Sequence, residues 1–285
     1  MFVNVTKDDS WSVCSGVIDQ VVGREQVSCL SLEKIMQHEF VGDTKDGGLA
    51  LCLADLHDHS VPLFIQASCG ASTENAINFR RELFERSGAL GASATEQRGE
   101  LDASCHCGGV AFRITPPNAA SEACSSNYPD LLVPYHSSSS ENPTDAKWWL
   151  RADNSKYLAG TCACRSCRLG SGFPIQTWAF IPRANILQAD GKQLDYEMGS
   201  LKEIESSKNC FRSFCGTCGA TVFWHCRTRP GLVDVSVGLL RAEEGSRAER
   251  WLQWWTERVS FMEDALDQAL VGDLQRGLSR IRMEG

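Results

Sequence analysis

Cys162-Ala163-Cys164-Arg165-Ser166-Cys167 holds three cysteines in six residues near the middle of the chain. Thiolates at i, i+2 and i+5 can converge on one soft metal ion, because spacers this short let a single turn aim all three sulfurs inward. Three ligands are one short of a closed tetrahedral site. Two readings are open at this point. Either a fourth ligand arrives from a distant part of the sequence and the site is structural, or the fourth position faces water or substrate and the site is catalytic.

Outward from the triplet, two cysteine pairs flank it, Cys105-His106-Cys107 before and Cys215-Gly216-Thr217-Cys218 after. Together the three groups take up seven of the 14 cysteines. Met1 to Ser10 has no basic segment followed by an apolar run, and no window approaches the length of a membrane span, so the protein is expected to be soluble and cytoplasmic. In a reducing compartment, clustered cysteines point to metal rather than to disulfides. The others, Cys14, Cys29, Cys52, Cys69, Cys124, Cys210 and Cys226, are scattered and read mostly as small buried hydrophobes.

Cys105, Cys107, Cys215 and Cys218 make a closed set of four thiolates, and zinc is the natural occupant because it accepts such a set without geometric strain or redox chemistry. That structural zinc would tie the first strand of its unit to a late knuckle, for a gain on the order of 10 kcal/mol of folding free energy. The pairing uses up the obvious distant ligands and leaves Cys162, Cys164 and Cys167 as the ligands of an open, catalytic zinc. A zinc held by three thiolates activates water poorly and remains a good partner for an incoming thiolate. The expected chemistry is capture of a thiol, or making and breaking a carbon–sulfur bond. An incoming thiolate adds negative charge, so cations should stand nearby. Arg165 and Arg168 are the nearest candidates, against the plainer reading that they are exposed surface arginines. Cys210, Cys226 and His225 lie close to the second knuckle and are alternative fourth ligands for either ion. His57 and His59 read as surface residues, and His106 as pointing away from the metal.

With 42% hydrophobic and 22% charged residues, the 285-residue chain is ordinary globular material, enough for one large domain or two modest ones. A formal charge of -8 argues against a nucleic-acid binder. Trp11 to Leu53 reads as short strands and turns. Residues 73–86 read as a helix capped by Thr73, with Ile77, Leu83 and Phe84 on its apolar side and Gly88 as its stop. The small, polar stretch 87–102 reads as a linker. The second unit, 103–285, opens with a strand in which Val110, Phe112 and Ile114 alternate with Ala111, Arg113 and Thr115. Residues 116–146 are rich in Pro, Ser and Asn and are predicted to be a surface insertion of weak order. Val233, Val235 and Val237 alternate with Asp234 and Ser236, predicting a strand with one wet face. Ser260 and Glu263 have capping-box spacing ahead of Leu266, Leu270, Leu274 and Leu278, which predicts a C-terminal helix packed on the core. Trp251, Trp254 and Trp255 are predicted to cover the sheet.

The two halves also match each other faintly. Ser31-Leu32-Glu33-Lys34-Ile35 resembles Ser200-Leu201-Lys202-Glu203-Ile204, and Gly23 to Val27 resembles Gly191 to Leu194. With a small gap, Asp43-Thr44-Lys45-Asp46-Gly47 falls on Cys215-Gly216-Thr217-Cys218-Gly219, both cysteines replaced by aspartate. On this reading residues 1–86 are a degenerate, partial second copy without zinc cysteines, and the aspartates form a solvated turn.

Taken in order, Cys105-x-Cys107-Gly-x-Val110, Cys162-x-Cys164-x-x-Cys167-Arg168 with Gly172, and Phe214-Cys215-x-x-Cys218-Gly219 resemble the glutathione-dependent formaldehyde-activating enzyme family, also called the centromere protein V family. The tail Trp251 to Phe261, with Asp43 to Gly48, resembles long fungal members with a duplicated domain. The resemblance implies a mainly β fold of the Mss-four-like (β-tent) type, several small twisted sheets with a C-terminal helix. It implies the same division into a structural zinc at Cys105, Cys107, Cys215 and Cys218 and a catalytic zinc at Cys162, Cys164 and Cys167, two per chain. The implied activity is that of a carbon–sulfur lyase joining formaldehyde to glutathione as S-hydroxymethylglutathione, so the expected partner is a small thiol such as glutathione or its adduct. Neither nucleic acid nor membrane is expected. Two alternatives stand beside it: an enzyme of a specialised pathway using the same zinc on a larger metabolite, with 116–146 as a lid, and a non-catalytic zinc-stabilised protein-binding module.

Overall fold

The computed structural model describes residues 3–5, 11–17, 34–57, 59–67, 73–90, 99–128 and 132–284. In the N-terminal part, β1 (Val3–Val5) pairs with β2 (Trp11–Val13), α1 spans Gly48–Cys52, β3 (Asp55–Leu56) pairs with β4 (His59–Ser60), and α2 spans Thr73–Leu90. Gly88 therefore lies inside α2 rather than stopping it. The face that α2 buries is Ala76, Phe79 and Leu83, spaced by three and four residues, while Ile77 is exposed.

Residues 43–47, aligned in sequence with the second knuckle, lead from the end of a 3-10 turn (Val41–Thr44) into α1. The residues 18–33 that carry the rest of that alignment lie outside the described ones. Asp46 is not solvated. It is 3% exposed, and its carboxylate accepts from the N–H groups of Gly48 (2.8 Å) and Arg247 (2.7 Å) and from the Ser246 hydroxyl (3.0 Å). The Arg247 guanidinium in turn donates to the Asp46 carbonyl and to Glu249. A buried charge persists only when paired and hydrogen-bonded in this way.

After Leu101–Ser104 (β5) and Ala111–Ile114 (β6) come α3 (Ala119–Ala123), β7 (Leu150–Arg151), β8 (Lys156–Cys162), α4 (Arg165–Ser171), β9 (Gln176–Pro182) and β10 (Ile186–Gln188). They are followed by β11 (Leu201–Ser207), β12 (Cys210–Cys215), β13 (Thr221–Cys226), β14 (Leu232–Ser236), β15 (Leu252–Trp254) and α5 (Gln268–Glu284). The molecule is mainly β with a C-terminal helix. One eight-stranded sheet runs β11-β12-β13-β14-β9-β8-β15, with β7 also on β8, and a three-stranded sheet runs β10-β6-β5. All these pairings are antiparallel except β15 on β8.

Directly opposed residues on neighbouring strands point to the same side. One face of the large sheet presents Phe223, Val235 and Ala179, and Phe223 meets Phe112 of β6 with ring centroids 5.0 Å apart, which forms the core between the two sheets. The other face carries the row Arg212, Trp224, Asp234 and Phe180, one residue from each of four strands. Asp234 and Ser236 are buried, so β14 has no wet face. The cause is the 116–146 region and its continuation, which pack instead of forming a loose surface segment. Leu132, Val133 and Trp148 are buried, Trp148 meets Phe180 at 5.0 Å, and Arg229 bonds Asp234 while lying over Trp148 and Trp224.

Residues 252–254 join the sheet as β15 instead of covering it. The C-terminal helix starts at Gln268, later than the capping-box spacing predicted. The Asp267 carboxylate accepts from the Leu270 N–H, and Ser260 is drawn into a bridge with Cys162. Leu270, Leu274 and Leu278 pack with Cys52 and Leu53 of the N-terminal part and with Ala163 and Ile175 of the sheet. Ala163 lies between two cysteines of the triplet, so α5 backs that turn.

Candidate metal centres

The first knuckle joins β5 to β6 and the second joins β12 to β13. Between them the Sγ atoms of Cys105, Cys107, Cys215 and Cys218 all lie within 4.8 Å of one another. Cys105 to Cys107 and Cys107 to Cys215 are both 3.5 Å. A tetrahedral zinc with bonds of about 2.3 Å places its sulfurs roughly 3.8 Å apart, so the four fit such an ion closely. Their surroundings suit thiolates as well. The Val110 N–H points at Cys105 Sγ (3.3 Å), and the Cys218 N–H (3.5 Å) and the Ser200 hydroxyl (3.1 Å) at Cys215 Sγ. The bond from the Cys218 N–H, followed by that from Ser200, pulls the Cys215 thiol down to about 5.

The triplet sits where β8 turns into α4. Cys162 ends the strand opposite Gln176, Cys164 is the N-cap of α4, and Cys167 lies on its first turn. Cys164 Sγ accepts from the Cys167 N–H at 3.3 Å. Gly172 closes the helix at φ 76, a left-handed conformation that costs glycine no Cβ clash. The three Sγ atoms lie within 4.8 Å of one another, and among the described residues no fourth His, Cys, Asp or Glu atom shares that space. Cys210, Cys226 and His225 join neither cluster, and His106 is exposed. Cys29 and Cys69 fall outside the described residues, while Cys52 is the inert buried thiol expected, pushed by burial up to about 12.

Three sulfurs so close cannot all be anions without a cation among them. Bonding with Cys164 and then Cys167 drives the Cys162 thiol upward, and the bond from Cys162 is the largest of the effects that hold Cys164 well below the ordinary thiol range. Two donors converge on Cys167 Sγ: the Trp178 indole Nε1–H at 3.4 Å and the Arg212 guanidinium Nη2 at 3.4 Å. Arg212 Nε also reaches the Ser166 hydroxyl at 3.0 Å. The structure thus puts a cation beside the triplet from β12, a strand distant in sequence. A strand entering the second knuckle is legible from the sequence, but nothing there says that it crosses over α4.

The two arginines predicted from sequence proximity sit differently. Arg165 is exposed at the head of α4. Arg168 is 2% exposed, and its Nη1 donates to the Gly16 carbonyl at 2.9 Å. The Gly16 N–H in turn donates to the Gly172 carbonyl at 3.0 Å, so the segment Cys14–Val17 clasps the far end of α4. A Cβ at Gly16 would stand 2.3 Å from the Phe173 nitrogen, so only glycine permits this approach.

Among the described residues no helix is long and apolar enough to cross a membrane. No curated protein matches the chain. Among solved structures, a crystal structure of a Rhodobacter sphaeroides protein matches at 17% identity, covering 54% of this chain and 98% of that one, with a TM-score of 0.29. Residues 149–258, which include the triplet and the second knuckle, match the family described as Glutathione-dependent formaldehyde-activating enzyme.

Proposed function

We propose that the protein is a zinc-dependent carbon–sulfur lyase, or thiol-adduct enzyme, acting on glutathione or a glutathione conjugate. The observation that carries the reading is the three-sulfur set with no fourth protein ligand among the described residues. In this proposal Cys105, Cys107, Cys215 and Cys218 hold a structural zinc, and Cys162, Cys164 and Cys167 a catalytic one. When bound, the catalytic ion supplies a soft positive centre that favours the thiolate form of a substrate thiol.

The chain's own residues do the rest. Trp178 and Arg212 donate to Cys167 and draw charge from the sulfur set, which lowers the cost of bringing in another anion. Buried Cys162 and Cys167 keep water from that side of the site. Arg168, through the Gly16 clasp, fixes the end of α4, and Arg165 serves as an outer cation. In the proposed reaction the sulfur lone pair attacks the formaldehyde carbon and forms the carbon–sulfur bond. The carbonyl π pair goes to oxygen, which takes up a proton equivalent to the one the thiol releases. Thiol and aldehyde thus sum to S-hydroxymethylglutathione with no other reactant. We assign the N-terminal part the task of backing the triplet through α5 and the clasp; α2 runs past residue 86 to Leu90 and β5 opens at Leu101, so the stretch joining the two units is shorter than the 87–102 expected from sequence.

Support for a purely structural pair of ions would be a fourth protein ligand on the triplet, and none stands there among the described residues. The test is isotope-exchange NMR on zinc-loaded protein with glutathione and carbon-13 formaldehyde. The expected result is faster interconversion of free and adducted carbon than in buffer, lost in Cys164→Ser. Equal rates with and without protein would sink the reading for formaldehyde.

A further inference from the structure

We infer that Arg212 reads an anionic group on the substrate, so that the site selects thiols that also carry a carboxylate. The inference rests on the thiol-binding reading of the triplet and adds to it the residue that sets specificity. One edge of the Arg212 guanidinium is already committed, Nε to the Ser166 hydroxyl (3.0 Å) and Nη2 to Cys167 Sγ (3.4 Å). The remaining terminal nitrogen, Nη1, is buried and has no hydrogen-bond partner. Among the described residues, every other buried side-chain nitrogen or oxygen without a partner is a single N–H or a hydroxyl, so this is the one such atom that carries two protons. A buried donor left without an acceptor costs free energy, and a charged one costs more, so a site that keeps one gains when an anion arrives.

No carboxylate of the described residues pairs with Arg212, and the acidic residues around it show why. Glu203, on the neighbouring strand, points to the opposite face of the sheet with Ser213 and is held by His225 at 2.6 Å and by the Ser213 hydroxyl at 3.3 Å. Asp234, on the same row as Arg212, is bonded by Arg229. The anions within reach of the strand are thus committed elsewhere, and the guanidinium keeps a free end beside the sulfurs. Trp224 lies directly across from Arg212 on β13 and is half-buried, with the Arg229 guanidinium over its ring. A guanidinium suits this task better than an ammonium, because it holds α4 with one edge and offers the other to a planar carboxylate.

The test measures the dissociation constants of glutathione and of glutathione diethyl ester for zinc-loaded full-length protein by calorimetry, alongside zinc content and Tm. The wild type should prefer glutathione by about tenfold or more. In Arg212→Gln both ligands should bind more weakly, because the Cys167 contact is lost, but glutathione should lose more, so that the preference falls to within about twofold. A merely structural role would lower zinc content or Tm and weaken both ligands alike. Should Arg212→Gln lose zinc, Arg212→Lys decides: a preference cut by about threefold or more supports the assignment, and one equal to the wild type's overturns it. Equal binding of acid and ester by the wild type overturns the inference and leaves the thiol reading standing. Failure of both ligands to bind refutes the thiol reading itself.

Discussion

Cys107 and Cys215 meet across 108 positions of sequence, at the tips of two hairpins, with Cys107 exposed. Cys162, Cys164 and Cys167 come from one turn, two of them buried, with α5 behind and β12 across. The larger set is complete in itself and touches only backbone N–H groups and a serine hydroxyl. The smaller one is incomplete and has a cation and an indole aimed at it. The same side chain thus serves two ends. On the proposed reading, the closed set would make its ion a staple, and the open set, with charge and direction supplied around it, would serve something that comes and goes.

The comparison can be broken most forcefully at the staple. Cys215→Ser should remove on the order of 10 kcal/mol, comparable to the whole stability of a domain, so near-UV circular dichroism should show no native tertiary signal. A native spectrum with undiminished zinc would mean that the four-cysteine set holds no structural ion. At the triplet the expectation is reversed. Cys164→Ser should keep the fold, lower bound zinc by about half and abolish adduct formation, and unfolding together with loss of all metal would erase the distinction between the sets.

A third change leaves both clusters alone. Asp46→Ala leaves the buried N–H groups of Gly48 and Arg247 and the Ser246 hydroxyl without their acceptor and should cost about 2–3 kcal/mol in urea unfolding, with zinc content unchanged while the protein is folded. A cost below about 1 kcal/mol would mean that the N-terminal part is not held by this carboxylate. The smallest effect is one of pH. Burial holds the His38 imidazole below its ordinary range, against the bond between Nε2 and the Leu53 carbonyl. Its neutral form belongs to the folded state, so the stability it contributes is present above the ordinary histidine pKa of about 6.5 and is lost as pH falls through the depressed folded value. One proton limits the slope to about 1.4 kcal/mol per pH unit. The protection factors of amide exchange over residues 34–67, that is, rates corrected for intrinsic exchange at each pH, should fall with acid in that window, and His38→Gln should remove the dependence.

Features encoded locally were legible in the sequence. The seven clustered cysteines, the buried alternation Val110-Phe112-Ile114 and Leu270, Leu274 and Leu278 of α5 take the places their patterns predict, while Leu266 falls before the helix. What was not legible depends on pairings between distant strands. Asp234 looks wet by alternation and is dry because Trp148 and Arg229 cover that face, which no local pattern reports. Arg165 and Arg168 look like the cations of the triplet because they are adjacent in sequence. Arg212 touches Cys167 because β12 lies over α4, a fact set by the order of strands in the sheet. Asp46 likewise reads as a lost cysteine in a solvated turn until Arg247 is seen to need it.

The two knuckles of the four-cysteine set also impose an order on time. A ribosome delivers Cys162, Cys164 and Cys167 together, so their three sulfurs are at hand while the strands from β9 onward are still unmade. Cys105 and Cys107 must wait until Cys218 has emerged before their own ion can be fully enclosed. On the proposed assignment, the set that can close first is the one given the chemistry, and the set that closes last is the one given the fold. Cys215, at the end of the strand that carries Arg212, joins these two events, because closing the later set fixes the strand that holds the cation over the earlier one.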